Sequence, residues 1–336
     1  MDLRSALDVV RSGRELSRAE AGALVGGLLD REFAHEDLAD FLRALAARGE
    51  SATEIVGAAD ALRARMIVFE HDSAQAIDTC GTGGDGLGSF NVSTAAAIVA
   101  AAAGARVVKH GNRSQSSRCG SADLLEQLGI PLDASQDRSR ACLDRCGITF
   151  VFAPAAHPLL ARIAPVRKAL GIRTLFNFLG PLCNPGRVRR QLLGVPEARR
   201  VETMALALHE LGHERAFVVH GAGGADELVP GRLNVVRAIG DAPKWDGAAE
   251  RAFPTATIES LAGGDARANA AMLACVLDGE LGPVRDAVVL NAAAALVVAG
   301  VARTPVDGVA LAAEAIDRRA AANTLTLWIR TARGEA

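Results

Sequence analysis

The sequence predicts an α/β protein in two parts: a small all-helical domain over residues 1–70, and a larger α/β domain, residues 75–170 and 191–336, with a mostly parallel central sheet. Three observations lead there. A chain of 336 residues has room for two packed units at about 100–200 residues each. Up to about residue 70 it shows helical periods and no convincing strand. From Ala76 onward, short β-branched runs alternate with helical patterns, the signature of a largely parallel sheet with helices on both faces.

The helical part marks its own starts. Ser17 to Glu20 and Ser51 to Glu54 both have the form S-x-x-E, in which the serine and the glutamate satisfy each other's backbone N–H groups at a helix N-terminus. The runs AIDTC, ARVVKHG, ITFVFA, RQLLGV, AFVVHG and LNVVRAI then predict strands, several of them ending in glycine. The stretch 171–190, GIRTLFNFLGPLCNPGRVRR, breaks this rhythm with a helical run followed by two prolines, and is expected to rejoin the helical domain. The alanine-rich stretches STAAAIVAAAAGA and AVVLNAAAALVVAGVA fall short of the ~20 residues of a bilayer span and predict buried helices.

Composition excludes several function classes. A net charge of −2 gives no overall field to recruit nucleic acid or a membrane, so any anion site must be local. The N-terminus mixes acids and bases without an apolar h-region, so no secretory signal is expected and the protein is expected in the cytoplasm. Six scattered cysteines fit reduced thiols better than a disulfide frame. Cys142 and Cys146 can be helical neighbours, but a zinc site would want a second Cys or His pair nearby in sequence, and none is present.

Such a sheet binds ligands outside the carboxyl ends of its strands, and three strands end in suitable loops. In AIDTCGTGGDGLGSFNVST, residues 76–94, Gly81, Gly83 and Gly86 have the dinucleotide spacing G-x-G-x-x-G. That motif wants an acidic residue about 20 positions on, to hold a ribose diol; here Arg106 and Lys109 stand there instead. No G-K-[ST] closes the run, which excludes a P-loop. A structural turn or a phosphate cradle remain, and the second is favoured: Asp85 sits among four glycines, and Ser89, Asn91, Ser93 and Thr94 follow where a helix N-terminus would offer free N–H groups to an anion. The second loop, KHGNRSQSSRCGSAD, brings Lys109, Arg113 and Arg118 with several hydroxyls, either a solvated polar loop or a second phosphate-holding region. The third, VVHGAGGADELVP, carries adjacent Asp226 and Glu227. Such a pair is often merely exposed, but at the mouth of a phosphate crevice it suits Mg²⁺, which takes few protein oxygens and completes its shell with phosphates.

Taken in order and spacing, CGTGGD, FNVST, KHGNRSQSSRCGSADLLEQLG, HPLLARIAPVRKALGIRTLFNFLGPLCNP, HGAGGADEL and VVLNAAAALVVAG resemble the anthranilate phosphoribosyltransferase family over nearly the whole chain. The resemblance implies transfer of the phosphoribosyl group of 5-phosphoribosyl 1-diphosphate (PRPP) to the amine of anthranilate, a step of tryptophan biosynthesis, with release of diphosphate. It also implies Mg²⁺, two ions per subunit, and a homodimer. By matching motifs, PRPP would lie on Gly81, Gly84, Asp85, Ser89, Asn91, Val92, Ser93, Thr94, Lys109, His110, Gly111, Asn112, Arg113, Ser114, Gln115, Ser116, Ser117 and Ser121. Gly81, Asn112 and Arg167 would contact anthranilate, and Ser93, Asp226 and Glu227 would serve the metal. The departures from the family pattern, Gln115, Cys119 and Cys183, remove no implied ligand.

Bond breaking at the ribose C1 builds negative charge on the leaving diphosphate, which cations and the basic loop would stabilise. The amine of anthranilate carries a free lone pair at neutral pH, so no acid or base is assigned; His110 is expected to position backbone rather than take a proton. Arg167 would hold the carboxylate. The alternatives are a pyrimidine nucleoside phosphorylase of the same fold, disfavoured by the Asp226–Glu227 pair and the spacing of Arg167 and Arg173, and a PRPP-binding regulator without catalysis.

Overall fold

A computed structural model describes residues 1–114 and 118–335; Gln115, Ser116 and Ser117 lie outside the described residues. The chain begins with four helices, α1 (Leu3–Arg11), α2 (Arg18–Asp30), α3 (His35–Arg48) and α4 (Ala52–Arg63). Both expected capping boxes form, at Ser17–Glu20 for α2 and Ser51–Glu54 for α4. Glu54 does more than cap: its buried carboxylate also accepts the Leu16 N–H at 2.9 Å and pairs with Arg48. The helices α2 and α4 pack closely because Gly57 has no side chain; a Cβ there would stand 2.3 Å from the Arg18 carbonyl oxygen.

The chain then alternates: β1 (Ile77–Gly81), α5 (Val92–Ala102), β2 (Val107–Gly111), α6 (Ser121–Gln127), α7 (Gln136–Cys146), β3 (Ile148–Phe152). Short α8 (Ala153–Ala156), α9 (Ala164–Leu170) and α10 (Leu175–Leu182) follow, then β4 (Arg190–Gly194), α11 (Arg200–Glu210), β5 (Arg215–His220) and β6 (Val235–Gly240). Four helices close the chain: α12 (Ala266–Leu277), α13 (Pro283–Ala299), α14 (Pro305–Asp317) and α15 (Ala320–Arg333). The run 171–190 supplies α10, whose Leu175, Phe176, Leu179 and Leu182 share a core with Leu24, Leu28, Phe41 and Leu42 of the N-terminal helices. Pro181 sits inside the last turn of α10 rather than after it.

The sheet order is β3-β2-β1-β4-β5-β6. The first five strands are parallel, whereas β6 runs antiparallel to β5. Between His220 and Val235 the chain forms only one short 3₁₀ turn, whereas a parallel return is usually made by a crossover helix. Side chains alternate across the sheet as the period of two requires. Leu192, Phe217 and Val219 join the core around α5 and α13, while Leu193, Ala216 and Val218 face the helical domain's core. The strand order reverses between β1 and β4, the place where open α/β sheets leave a crevice at their carboxyl ends. Among the described residues no helix is long and apolar enough to cross a membrane.

Candidate active site

The crevice is built where β1 and β4 end side by side, with Gly81 opposite Gly194. The loop after β5 folds over both glycines: a Cβ on Gly194 would stand 1.5 Å from the Asp226 carbonyl oxygen, and one on Gly81 2.1 Å from its carboxylate. Glycine at these two positions is what lets the third loop meet the first. Gly83 donates its N–H to Asp226 Oδ2 at 3.0 Å, and Ser93 donates its own to Glu227 Oε1 at 3.1 Å. From behind, the buried amide of Asn291 on α13 clips the next residue, accepting from Leu228 N at 3.0 Å and donating to Leu228 O at 2.9 Å.

The N-terminus of α5 differs from the sequence expectation of free N–H groups. Val92 N is taken by Phe90 O, Thr94 N by Asn91 O and Ser93 N by Glu227. The positive end of the helix thus faces a carboxylate of the protein's own. Val92 and Thr94 are interior, and Asn91 braces the loop, donating to Cys119 O at 3.1 Å and accepting from Asn269 at 2.8 Å. Ser89 bridges to Ala262. Gly84 lies in the left-handed region at φ 73°, and Asp85 caps the turn by accepting Leu87 N at 3.2 Å, leaving its buried Oδ2 without a partner among the described residues.

The second loop leaves β2 through Lys109, His110 and Gly111. Lys109 is 2% exposed; its Nζ donates to Thr79 O at 2.5 Å and to Ser93 Oγ at 3.3 Å. Burial pushes its pKa down, opposed by Asp78 beneath it, whose own carboxyl is pushed up by burial. Asp78 accepts from His110 N at 3.2 Å and from Asn184 Nδ2 at 2.8 Å, which fixes the root of the loop. Ser121 Oγ donates to Asn112 O at 3.3 Å, and Asn112 is exposed. Arg113 forks onto Glu126 and Asp123 of α6, and Ser114 N donates to Asp123 at 3.0 Å.

Two histidines stand behind this loop. His110 Nδ1 lies 3.1 Å from Gly180 O and His157 Nε2 lies 2.9 Å from Cys183 O. A carbonyl only accepts, so these nitrogens carry the protons. The other two nitrogens are buried acceptors without partners among the described residues, on rings 5.2 Å apart. Burial and the neighbouring His157 push His110 down to about 3. It is therefore neutral around pH 7 and holds backbone, as expected from the sequence.

From the helical side come two arginines. Arg167 near the end of α9 lies 5.8 Å from the Phe176 ring and has no ion pair among the described residues; burial lowers its pKa. Arg173 crosses to the glycine loop, donating to Gly83 O and, at 3.0 Å, to Thr82 Oγ1.

Matches to known proteins agree with this geometry. Residues 4–66 match the helical bundle domain of a glycosyl transferase family, and residues 73–322 match its a/b domain. Anthranilate phosphoribosyltransferase 2 of Streptomyces coelicolor is 49% identical over 94% of this chain and 95% of its own length. The chain belongs to the anthranilate phosphoribosyltransferase family. Its fold is also that of the family: the anthranilate phosphoribosyltransferase of Thermus thermophilus superposes with a TM-score of 0.91 at 41% identity, covering 98% of this chain and 99% of that one. The enzyme from Saccharomyces cerevisiae, solved in complex with PRPP and Mg, gives 0.88 at 26% identity over 99% and 98%.

The donor set fits magnesium as that family uses it. Asp226 and Glu227 are adjacent, part-buried carboxylates, without a direct ion pair among the described residues. Burial first, then Asp85, pushes the Asp226 pKa up, and burial with Asp226 and Asp85 does the same for Glu227, so the charged forms are disfavoured until a hard cation stands beside them. No three Cys, His, Asp or Glu among the described residues form a cage by themselves, which suits an ion that keeps most of its shell for water and phosphate.

Sequence reasoning missed Asp78, His157, Asn184 and Asn291, and noted Arg173 only for its spacing. Asn291 reaches Leu228 over 63 positions, Arg173 reaches Gly83 over 90 and Asn184 reaches Asp78 over 106, so no local pattern carried the signal.

Proposed function

We propose that the crevice transfers the 5-phosphoribosyl group of PRPP to the amine of anthranilate, giving N-(5-phosphoribosyl)anthranilate and diphosphate in tryptophan biosynthesis. The observation that carries this is the Asp226–Glu227 pair, part-buried beside the glycine loop, held by the Gly83 and Ser93 N–H groups and without a direct ion pair among the described residues. Asp226, Glu227 and Ser93 hold Mg²⁺, two ions per subunit. When bound, the ions spread the charge that builds on the departing diphosphate.

The chain's residues do the rest. Gly81, Gly84, Asp85, Ser89 and Asn91 to Thr94 shape one wall for PRPP. Lys109 to Ser114 with Ser121 shape the other, and Lys109 keeps its ammonium fixed at Ser93. Asn112, Gly81 and Arg167 receive anthranilate: a guanidinium without a carboxylate of its own is suited to the planar fork of the substrate's carboxylate. Held there, the amine needs aim rather than a base, so the contribution is one of proximity. This reading places the helical domain, 1–70 with about 171–190, against the α/β domain of 75–170 and 191–336, with Arg173 on the helical side and Arg167 on α9, which packs against the N-terminal helices. It includes a homodimer working in the cytoplasm.

The test is fluorimetric. Protein mixed with PRPP, MgCl₂ and anthranilate should consume the anthranilate fluorescence. Asp226→Asn with Glu227→Gln should abolish that turnover while melting no lower than wild type in metal-free buffer, because two part-buried like charges are removed. Turnover retained by the double variant, or none with the wild type, would overturn the reading.

A further inference from the structure

We propose that the protein carries a second anion site, at the end of the sheet opposite the crevice, that takes a phosphate-bearing small molecule between the helical and α/β domains. A pocket of about 540 Å³ opens there, lined by Arg63, Met66, Arg187, Val188, Arg189 and Leu211. Its walls are two chain crossings: residues 63–66 leave α4 on the way to β1, and residues 187–189 lead from α10 into β4. Leu211 and Gly212 add the turn before β5. All of this lies at the amino ends of β4 and β5, whereas the crevice uses the carboxyl ends.

Three guanidinium groups line this pocket; among the described residues Glu214 pairs with one of them, and Asp60 acts on another from farther off. Arg189 pairs with Glu214 at 3.0 Å and donates to Gly212 O at 2.9 Å. Arg63 is half-buried; its Nε donates to Leu182 O at 2.6 Å, and it has no ion pair among the described residues. Arg187 is exposed and likewise has none. The field is felt behind the pocket, where burial and the nearby Arg63 and Arg189 hold the His213 imidazole neutral, at about 4. In a chain of net charge −2, such a local excess of positive charge calls for an anion.

The backbone supports the same assignment. Arg187 adopts φ 52°, a left-handed conformation in which glycine would be relaxed. It is locked there by Arg187 N donating to Asn184 O at 2.9 Å and by His71 Nε2 donating to Gly186 O at 2.9 Å. The turn thus aims an arginine into the mouth of the pocket at a position where a side chain is unfavourable. Guanidinium forks match phosphate oxygens in pairs, and the buried Met66 and Val188 supply an apolar floor for a short organic body.

Diphosphate is the probe. Titrated calorimetrically into wild-type protein without magnesium, it should show a binding event that becomes at least tenfold weaker in Arg187→Gly with Arg189→Gln. Neither residue belongs to the crevice, so kcat/KM for anthranilate should stay within twofold. Arg187→Gly relieves the left-handed strain, so its melting temperature without anion should be no lower than that of wild type, which separates lost binding from lost fold. A titration that superimposes on the wild type, whether it shows one site or two, would falsify the proposal.

Discussion

At the scale of single residues the crevice separates two kinds of arginine. Arg173 is spent on the protein itself, holding the Gly83 carbonyl and the Thr82 hydroxyl. Arg167 is not, resting only near the Phe176 ring. Hydrogen bonds to charged groups contribute about 1.5–3 kcal/mol each, and each ~1.4 kcal/mol is a factor of ten. Arg167→Ala should therefore lower kcat/KM for anthranilate by about ten- to a hundredfold or more, with the Kd for PRPP within a few-fold of wild type. Arg167→Lys should restore only part, since an ammonium lacks the planar fork. Arg173→Ala should do the reverse and weaken PRPP first, because it releases the glycine loop. Steady-state kinetics with each substrate varied in turn, beside PRPP calorimetry, distinguishes the two; an Arg167→Ala variant that loses PRPP as strongly as anthranilate would place that residue with the loop.

At the scale of elements, the sequence was most legible where structure is local. The capping boxes at Ser17 and Ser51 appear where S-x-x-E stands, and all six β-branched runs become strands. The carboxyl-end loops could be read for the same reason, since glycines and charges follow each strand directly. What a run of residues does not encode is its partner. The antiparallel pairing of β6 goes with a link that forms no crossover helix, and the clip of Asn291 on Leu228 joins residues 63 positions apart. Gly57 is the sharpest case. Read alone, a glycine inside α4 looks like a weak helix position that alanine would improve by about 1 kcal/mol. In the structure a methyl group would meet the Arg18 carbonyl at 2.3 Å, so α2 and α4 would have to separate. Gly57→Ala is expected to destabilise the protein by about 1–3 kcal/mol, the range of overpacked cores, as measured by urea denaturation. An increase in stability would show that the two helices can part without loss.

At the scale of the whole molecule, stability should depend on acidity through buried imidazoles. His213, beside Arg63 and Arg189, is held at about 4 against 6.5 when free, by burial first. Below pH 6.5 the unfolded chain takes a proton that the folded one refuses, so stability falls as pH drops from about 6.5 to about 4 and is unaffected by this group above 6.5. At about 1.4 kcal/mol per pH unit the loss approaches about 3 kcal/mol. His213→Asn keeps a donor for Leu208 O and cannot charge. Denaturation at pH 7.5 and 4.5 should give a difference smaller by about 2 kcal/mol than in wild type, and an equal difference would mean that His213 opens to water. The docking of α10 among the first helices acts on a different clock. The hydrogen bond from Arg63 to Leu182 spans 119 positions, and the core it seals includes Leu24, Leu28 and Phe41. At about 5–20 residues per second of synthesis, the opening bundle waits some ten seconds or so for its last wall. For that interval its leucines face whatever else is nascent, so a chaperone that shields residues 1–70 during translation should raise the yield of folded protein more than one acting after release.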